Sequence, residues 1–140
     1  MKNPFGSKKA LLIIGQNSSG KSQLAKNISK DFVNPVFLSR YDFMSNKGFV
    51  IPHFVFSNCV QDTNLIIVDD CRKDFDFELF FNLISNYVTV QKLAREPFEI
   101  SPKFIFISEE CPNHMGSSFT HRFEIINVEQ LDSNLVKSES

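Results

Sequence analysis

Apolar residues gather in short runs separated by polar stretches. Ala10–Ile14, Val36–Leu38, Leu65–Val68 and Phe104–Ile107 are continuous, without the alternation of a half-exposed strand. Continuous runs of this length suit strands buried on both faces of a parallel sheet. Phe123 to Val128 reads as a fifth strand. Between them the spacing changes. Leu24, Ala25 and Ile28 recur at helical intervals, predicting a helix from Ser22 to about Phe32, broken at Asn34-Pro35. Leu79, Phe80, Leu83, Ile84 and Tyr87 predict a second helix over 74–87, with Asp74 and Asp76 at its positive end. His53 to Gln61 reads as a third helix presenting Phe54, Val55, Cys59 and Val60, with His53 as a helix-start residue. Val88–Val90 and Phe98–Ile100 predict a β-hairpin whose tip carries Lys92 and Arg95. Pro4-Phe5-Gly6 and Asn46-Lys47-Gly48 are turn signals. The expected class is α/β, built on a mainly parallel five-stranded sheet.

Chemistry enters where the first strand meets the first helix. Gly15-Gln16-Asn17-Ser18-Ser19-Gly20-Lys21-Ser22 fits G-x-x-x-x-G-K-[ST], the Walker A or phosphate-binding loop. In that context backbone N–H groups wrap a phosphate, and the helix N-terminus adds partial positive charge. Lys21 reaches the β- and γ-phosphates, and the Ser22 hydroxyl can ligate Mg²⁺. The third apolar run ends in Asp69-Asp70, the Walker B pattern, which places carboxylates beside the phosphates. Asp69 is the expected Mg²⁺ tether, and Asp70 the expected polariser of the attacking water.

Composition narrows the picture. A chain of 140 residues is read as one domain, with 1–9 a polar lead-in and 129–140 a polar tail. Sixteen Phe and no Trp point to an aromatic core. A net charge of −1 argues against a whole-domain grip on nucleic acid, yet Lys2, Lys8, Lys9, Lys21, Lys26 and Lys30 sit in a first segment free of acids. The three cysteines, Cys59, Cys71 and Cys111, are widely spaced and suggest neither a disulfide framework nor a zinc site. Cys111-Pro-Asn-His114 reads as a loop. With no signal peptide and no stretch of membrane-spanning length, a reduced cytoplasmic protein is expected.

The order of these features resembles the core of the additional-strand P-loop ATPases, the group that includes the AAA+ proteins. Within it the chain is most similar to superfamily 3 helicases and related phage or plasmid replication ATPases. Gly15–Ser22, Leu65–Asp70, the hairpin Val88–Ile100 before Lys103–Ser108, and His121-Arg122-Phe123 carry the resemblance, over roughly residues 10–128. It implies a three-layer fold with strand order 5-1-4-3-2, ATP and Mg²⁺ as cofactors, and Arg122 as an arginine finger in an assembly of copies. It also implies single-stranded DNA or a replication protein as partner, with Lys92 and Arg95 at the nucleic-acid contact. Two departures stand out. The sensor strand ends in Ser108-Glu109 where the family has Ser-Asn, so Glu109 would have to position water, against the charge of the phosphates. The family's flanking helical domains have no counterpart in 1–9 or 129–140, so a processive hexameric helicase is not expected from this chain alone. Two other readings remain open: a small nucleotide or metabolite kinase, and a non-catalytic, nucleotide-dependent interaction module. Arg122 also has a plain alternative, pairing with Glu124 or covering apolar surface with its stem.

Overall fold

The apolar runs become one parallel sheet. A computed structural model describes residues 3–16, 19–113 and 115–128. In chain order the elements are β1 (Ala10–Ile14), α1 (Lys21–Ser29), β2 (Val36–Ser39), β3 (Met44–Ser45), β4 (Gly48–Phe49), β5 (Leu65–Asp69), α2 (Phe81–Ser85), β6 (Val88–Val90), β7 (Phe98–Ile100), β8 (Lys103–Ser108), α3 (Ser117–Arg122) and β9 (Phe123–Asn127). Short 3-10 turns cover Arg40–Phe43 and Phe77–Phe80. The main sheet runs β2-β5-β8-β1-β9, or 2-3-4-1-5 when only its own members are counted along the chain. All its pairings are parallel. Two small antiparallel pairs, β3-β4 and β6-β7, stand apart from it.

Because side chains alternate along a strand, the sheet buries two separate sets. Leu11, Ile13, Leu65, Ile67, Ile105 and Ile107 face Ala25 and Ile28 of α1, with Phe5 and Val128 closing the edge. Leu12, Ile66, Val68, Phe104 and Phe106 face the other way, into Phe43, Phe75, Phe77, Phe80 and Phe119. The result is three layers: α1, the sheet, and an aromatic layer of short elements.

Several predicted helices are reshaped. Residues 74–87 do not form one helix. Phe75 and Phe77 are both buried while Asp74, Asp76 and Glu78 are exposed. That two-residue alternation cannot lie on one helical face, so the chain stays extended, then tightens into the 3-10 turn and five-residue α2. Tyr87, expected on the buried face, is exposed. Residues 53–61 form overlapping turns, with Val55, Ser57 and Cys59 donating to carbonyls three residues back. The helix expected to run to about Phe32 closes at Ser29 as an α-helix and continues through three such turns to Phe32. The stretch before β9, which carried no helix expectation, forms α3. The Val88–Ile100 hairpin is present as β6-β7. No helix among the described residues is long and apolar enough to cross a membrane. Asn17, Ser18, His114 and the tail 129–140 lie outside the described residues.

Candidate functional site

Parallel register aligns the ends of the central strands. Ile14 sits beside Ser108, and Val68 beside Phe106. The glycine loop, Asp69-Asp70 and Glu109 therefore emerge from the same end of the sheet. The loop is anchored where the Gly15 N–H donates to the Ser108 carbonyl at 3.1 Å. A Cβ at Gly15 would run into Ser19 Oγ and crowd Val128, so a larger residue there would have to turn the Ser19 hydroxyl aside. The Ser19 N–H donates to the Gln16 carbonyl at 3.1 Å, and Lys21 Nζ reaches back to the same carbonyl at 3.1 Å. Gly20, at φ 89°, takes the left-handed turn that starts α1.

This helix start suits an anion. No side chain caps it, and its first turn holds no acid. Amides that lack intrahelical partners, together with the helix dipole, favour negative charge there. Ser19 Oγ is buried with no hydrogen-bond partner among the described residues. A buried hydroxyl left unmet beside an uncapped helix start fits a phosphate oxygen.

The acids stand close by. Ser22 and Asp69 line one cleft of about 320 Å³ between α1 and the ends of β2 and β5. Ile67 and Ile107 form its floor, and Lys26, Ser39 and Asp42 add polar walls. Asp69 Oδ1 accepts the Asp70 N–H at 2.7 Å. A hydroxyl and a carboxylate facing one cleft make a donor set for a hard divalent cation.

Asp70 is placed differently. Asp70 and Arg72 both have positive φ, at 54° and 65°, around a buried Cys71. Cys71 pins the turn by donating its N–H to the Ile107 carbonyl at 2.8 Å. The Arg72 guanidinium grips the Asp70 carboxylate at 3.1 and 3.2 Å and also donates to the Tyr41 hydroxyl at 3.0 Å. Glu109 is exposed just past β8. Arg122 lies against the aromatic layer. Its guanidinium sits 4.8 Å over the Phe81 ring and donates to Ser85 Oγ at 3.1 Å and to the Ser118 carbonyl at 2.9 Å. Glu124, weighed as its partner, lies 3.8 Å from Lys8 instead. Lys92 Nζ donates to the Ser57 carbonyl at 2.7 Å, while Arg95 is exposed at the hairpin tip.

Sequence reasoning passed over Arg40, although it is almost fully buried. It donates to the Cys71 carbonyl at 3.0 Å and to Asp74 at 2.8 and 3.3 Å, and its guanidinium stacks 5.1 Å from Phe49. The Asp74 hydrogen bond raises the Arg40 pKa, and the same bond lowers that of Asp74. Arg40 thus ties the turn after β2 to the turn after the acids. Ser39-x-x-Asp42 was a legible signal for that first turn. Ser39 and Asp42 form a capping box, with the Ser39 N–H on Asp42 Oδ2 at 2.8 Å. Burial pushes the Cys59 thiol up to about 11 and raises that of Cys71 as well.

No protein-family model matches the chain, and no curated protein sequence matches it. Among solved structures it is similar to the A-form apo structure of the NrS-1 C-terminal region, with a TM-score of 0.57 and 16% identity. The match covers 87% of this chain and 29% of that one, so the likeness is one of fold over a minor part of the larger protein.

Proposed function

We propose that this chain is a P-loop domain that binds ATP and hydrolyses it with Mg²⁺, of the replication-ATPase type. One observation carries the reading: the unmet buried hydroxyl of Ser19 lies beside an uncapped helix start that follows the left-handed Gly20, and Ser22 and Asp69 line the cleft next to it. The strand order and the likeness to the NrS-1 C-terminal region are compatible with that fold. In this reading Gly15–Ser22 hold the triphosphate, and the Lys21 ammonium leaves the Gln16 carbonyl to offset charge on the β/γ oxygens. Ser22 and Asp69 would hold the metal, which supplies charge neutralisation to the phosphates. Asp70 and Glu109 orient the attacking water. Lys21→Ala should abolish nucleotide binding measured by calorimetry while leaving thermal unfolding unchanged. Unaltered affinity would falsify the site.

A second reading has its own support. The Asp70 carboxylate is held by Arg72, and Arg122 is held by Ser85 and Phe81. Groups engaged in this way favour a nucleotide-dependent binding module with slow turnover. Phosphate release measured with and without single-stranded DNA, over a range of protein concentrations, separates the two. Transfer to an added nucleoside or nucleotide without phosphate release would point to a kinase. DNA contact at the hairpin predicts that Arg95→Ala weakens binding and lowers its salt dependence. Arg95 is the cleaner probe, because Lys92 also holds Ser57.

A further inference from the structure

We propose that the groove across the aromatic layer receives the hairpin tip of a second copy of this chain, joining copies head to tail. The groove, about 620 Å³, lies between residues 73–81 on one side and 112–113 and 116–119 on the other, with Phe49, Phe77, Phe81 and Phe119 along its floor. Its rim carries Asp76 and Glu78, both exposed. Among the described residues the other charges there are already engaged, Asp74 by Arg40, Lys73 by Glu110 at 3.7 Å, and Arg122, which covers Phe81, by Ser85 and Ser118. An aromatic floor with an acidic rim selects an apolar side chain flanked by cations.

The chain itself offers such a knob. Leu93, 85% exposed, crowns the β6-β7 tip between Lys92 and Arg95, with Ala94 in a left-handed turn at φ 59°. Glu96, also exposed, follows Arg95, so the match centres on Leu93 and Arg95. The tip cannot leave its own body easily. β6 and β7 pair over three residues each, and Lys92 is bonded to Ser57. Groove and tip are made from different segments, so the contact is heterologous, and repetition yields a ring or a filament.

Sedimentation at rising concentration should show self-association of the wild-type chain. Leu93→Glu should weaken it at least tenfold, and Asp76→Lys with Glu78→Lys should do the same. All three positions are exposed, so melting temperature and ATP affinity should be unchanged in these variants. That control separates this contact from the nucleotide site. Mixing the tip variant with the groove variant should give a 1:1 complex that grows no further, because only one joint can form. Arg95→Glu combined with Glu78→Arg should restore association. A monomer at all concentrations, or association untouched by these changes, would overturn the proposal. So would loss of single-stranded DNA binding in Leu93→Glu without any effect on association, which would give the tip to nucleic acid.

Discussion

On one face of the sheet Leu11, Ile13, Ile67, Ile105 and Ile107 meet a single nine-residue helix. On the other, Leu12, Ile66, Phe104 and Phe106 meet a layer in which, among the described residues, no α-helix exceeds six residues. The aliphatic face uses small and branched side chains, so α1 packs close, with Ala25 and Ile28 against the strands. Its N-terminus is thereby fixed at the glycine loop, and Ser22 comes to share a cleft with Asp69. The aromatic face covers the same strands with rings. Phe106 alone contacts Phe75, Phe77, Phe80, Phe104 and Phe123. Because each ring buries a large area, irregular chain suffices to cover this face. One face positions the candidate site, and the other carries much of the core.

The comparison breaks most sharply at Phe106. Phe106→Ala should cost about 3–5 kcal/mol in urea unfolding, since it opens a hole at the centre of the ring cluster. Ile28→Ala, on the helix face, should cost about 2–3 kcal/mol and also weaken ATP binding, because it loosens the helix that bears Lys21 and Ser22. A loss of ATP affinity in Phe106→Ala at temperatures where it remains folded would contradict this division of labour. Gly20→Ala should cost about 1–2 kcal/mol, because its left-handed φ strains a Cβ, and it should reduce affinity at the loop.

Smaller effects sharpen the contrast. The Asp74 pKa is lowered on folding, so its contribution is present above the ordinary carboxylate value of 3.8 and is lost as pH falls through the lowered value. Asp74→Asn should reduce stability at neutral pH and flatten its decline below about pH 4. Thiol labelling is the gentlest probe. Cys111 is exposed and should react at once, whereas Cys59 and Cys71, both buried within the aromatic layer, should react only as that layer opens. Prompt labelling of all three in the native protein would show the ring cluster to be loose.

Much of this was legible because it depends on neighbours in sequence. Continuous apolar runs mark strands buried on both sides, and all five expected strands pair in the sheet. Gly20 in a left-handed turn before α1 follows from the glycine pattern itself. Segments whose burial is set by distant partners were misread. Phe75, Phe77 and Phe80 looked helical until the sheet drew the first two down at alternate positions. Arg40 carries no local mark of burial, and its partner Asp74 lies 34 residues away. Arg72 sits two residues beyond Asp70, yet only the paired left-handed turns around Cys71 bring it onto that carboxylate.

The sequence alone determined the parallel α/β class, the strand positions and the loop-to-helix start at Gly20, because local sterics and strand burial need no remote contact. Tertiary structure decided which charges are spent on the fold. Arg40, Lys92 and Arg122 are engaged, and Asp69 shares a cleft with Ser22. A long polar side chain takes whichever partner the packed chain brings within reach, and that choice is written in space.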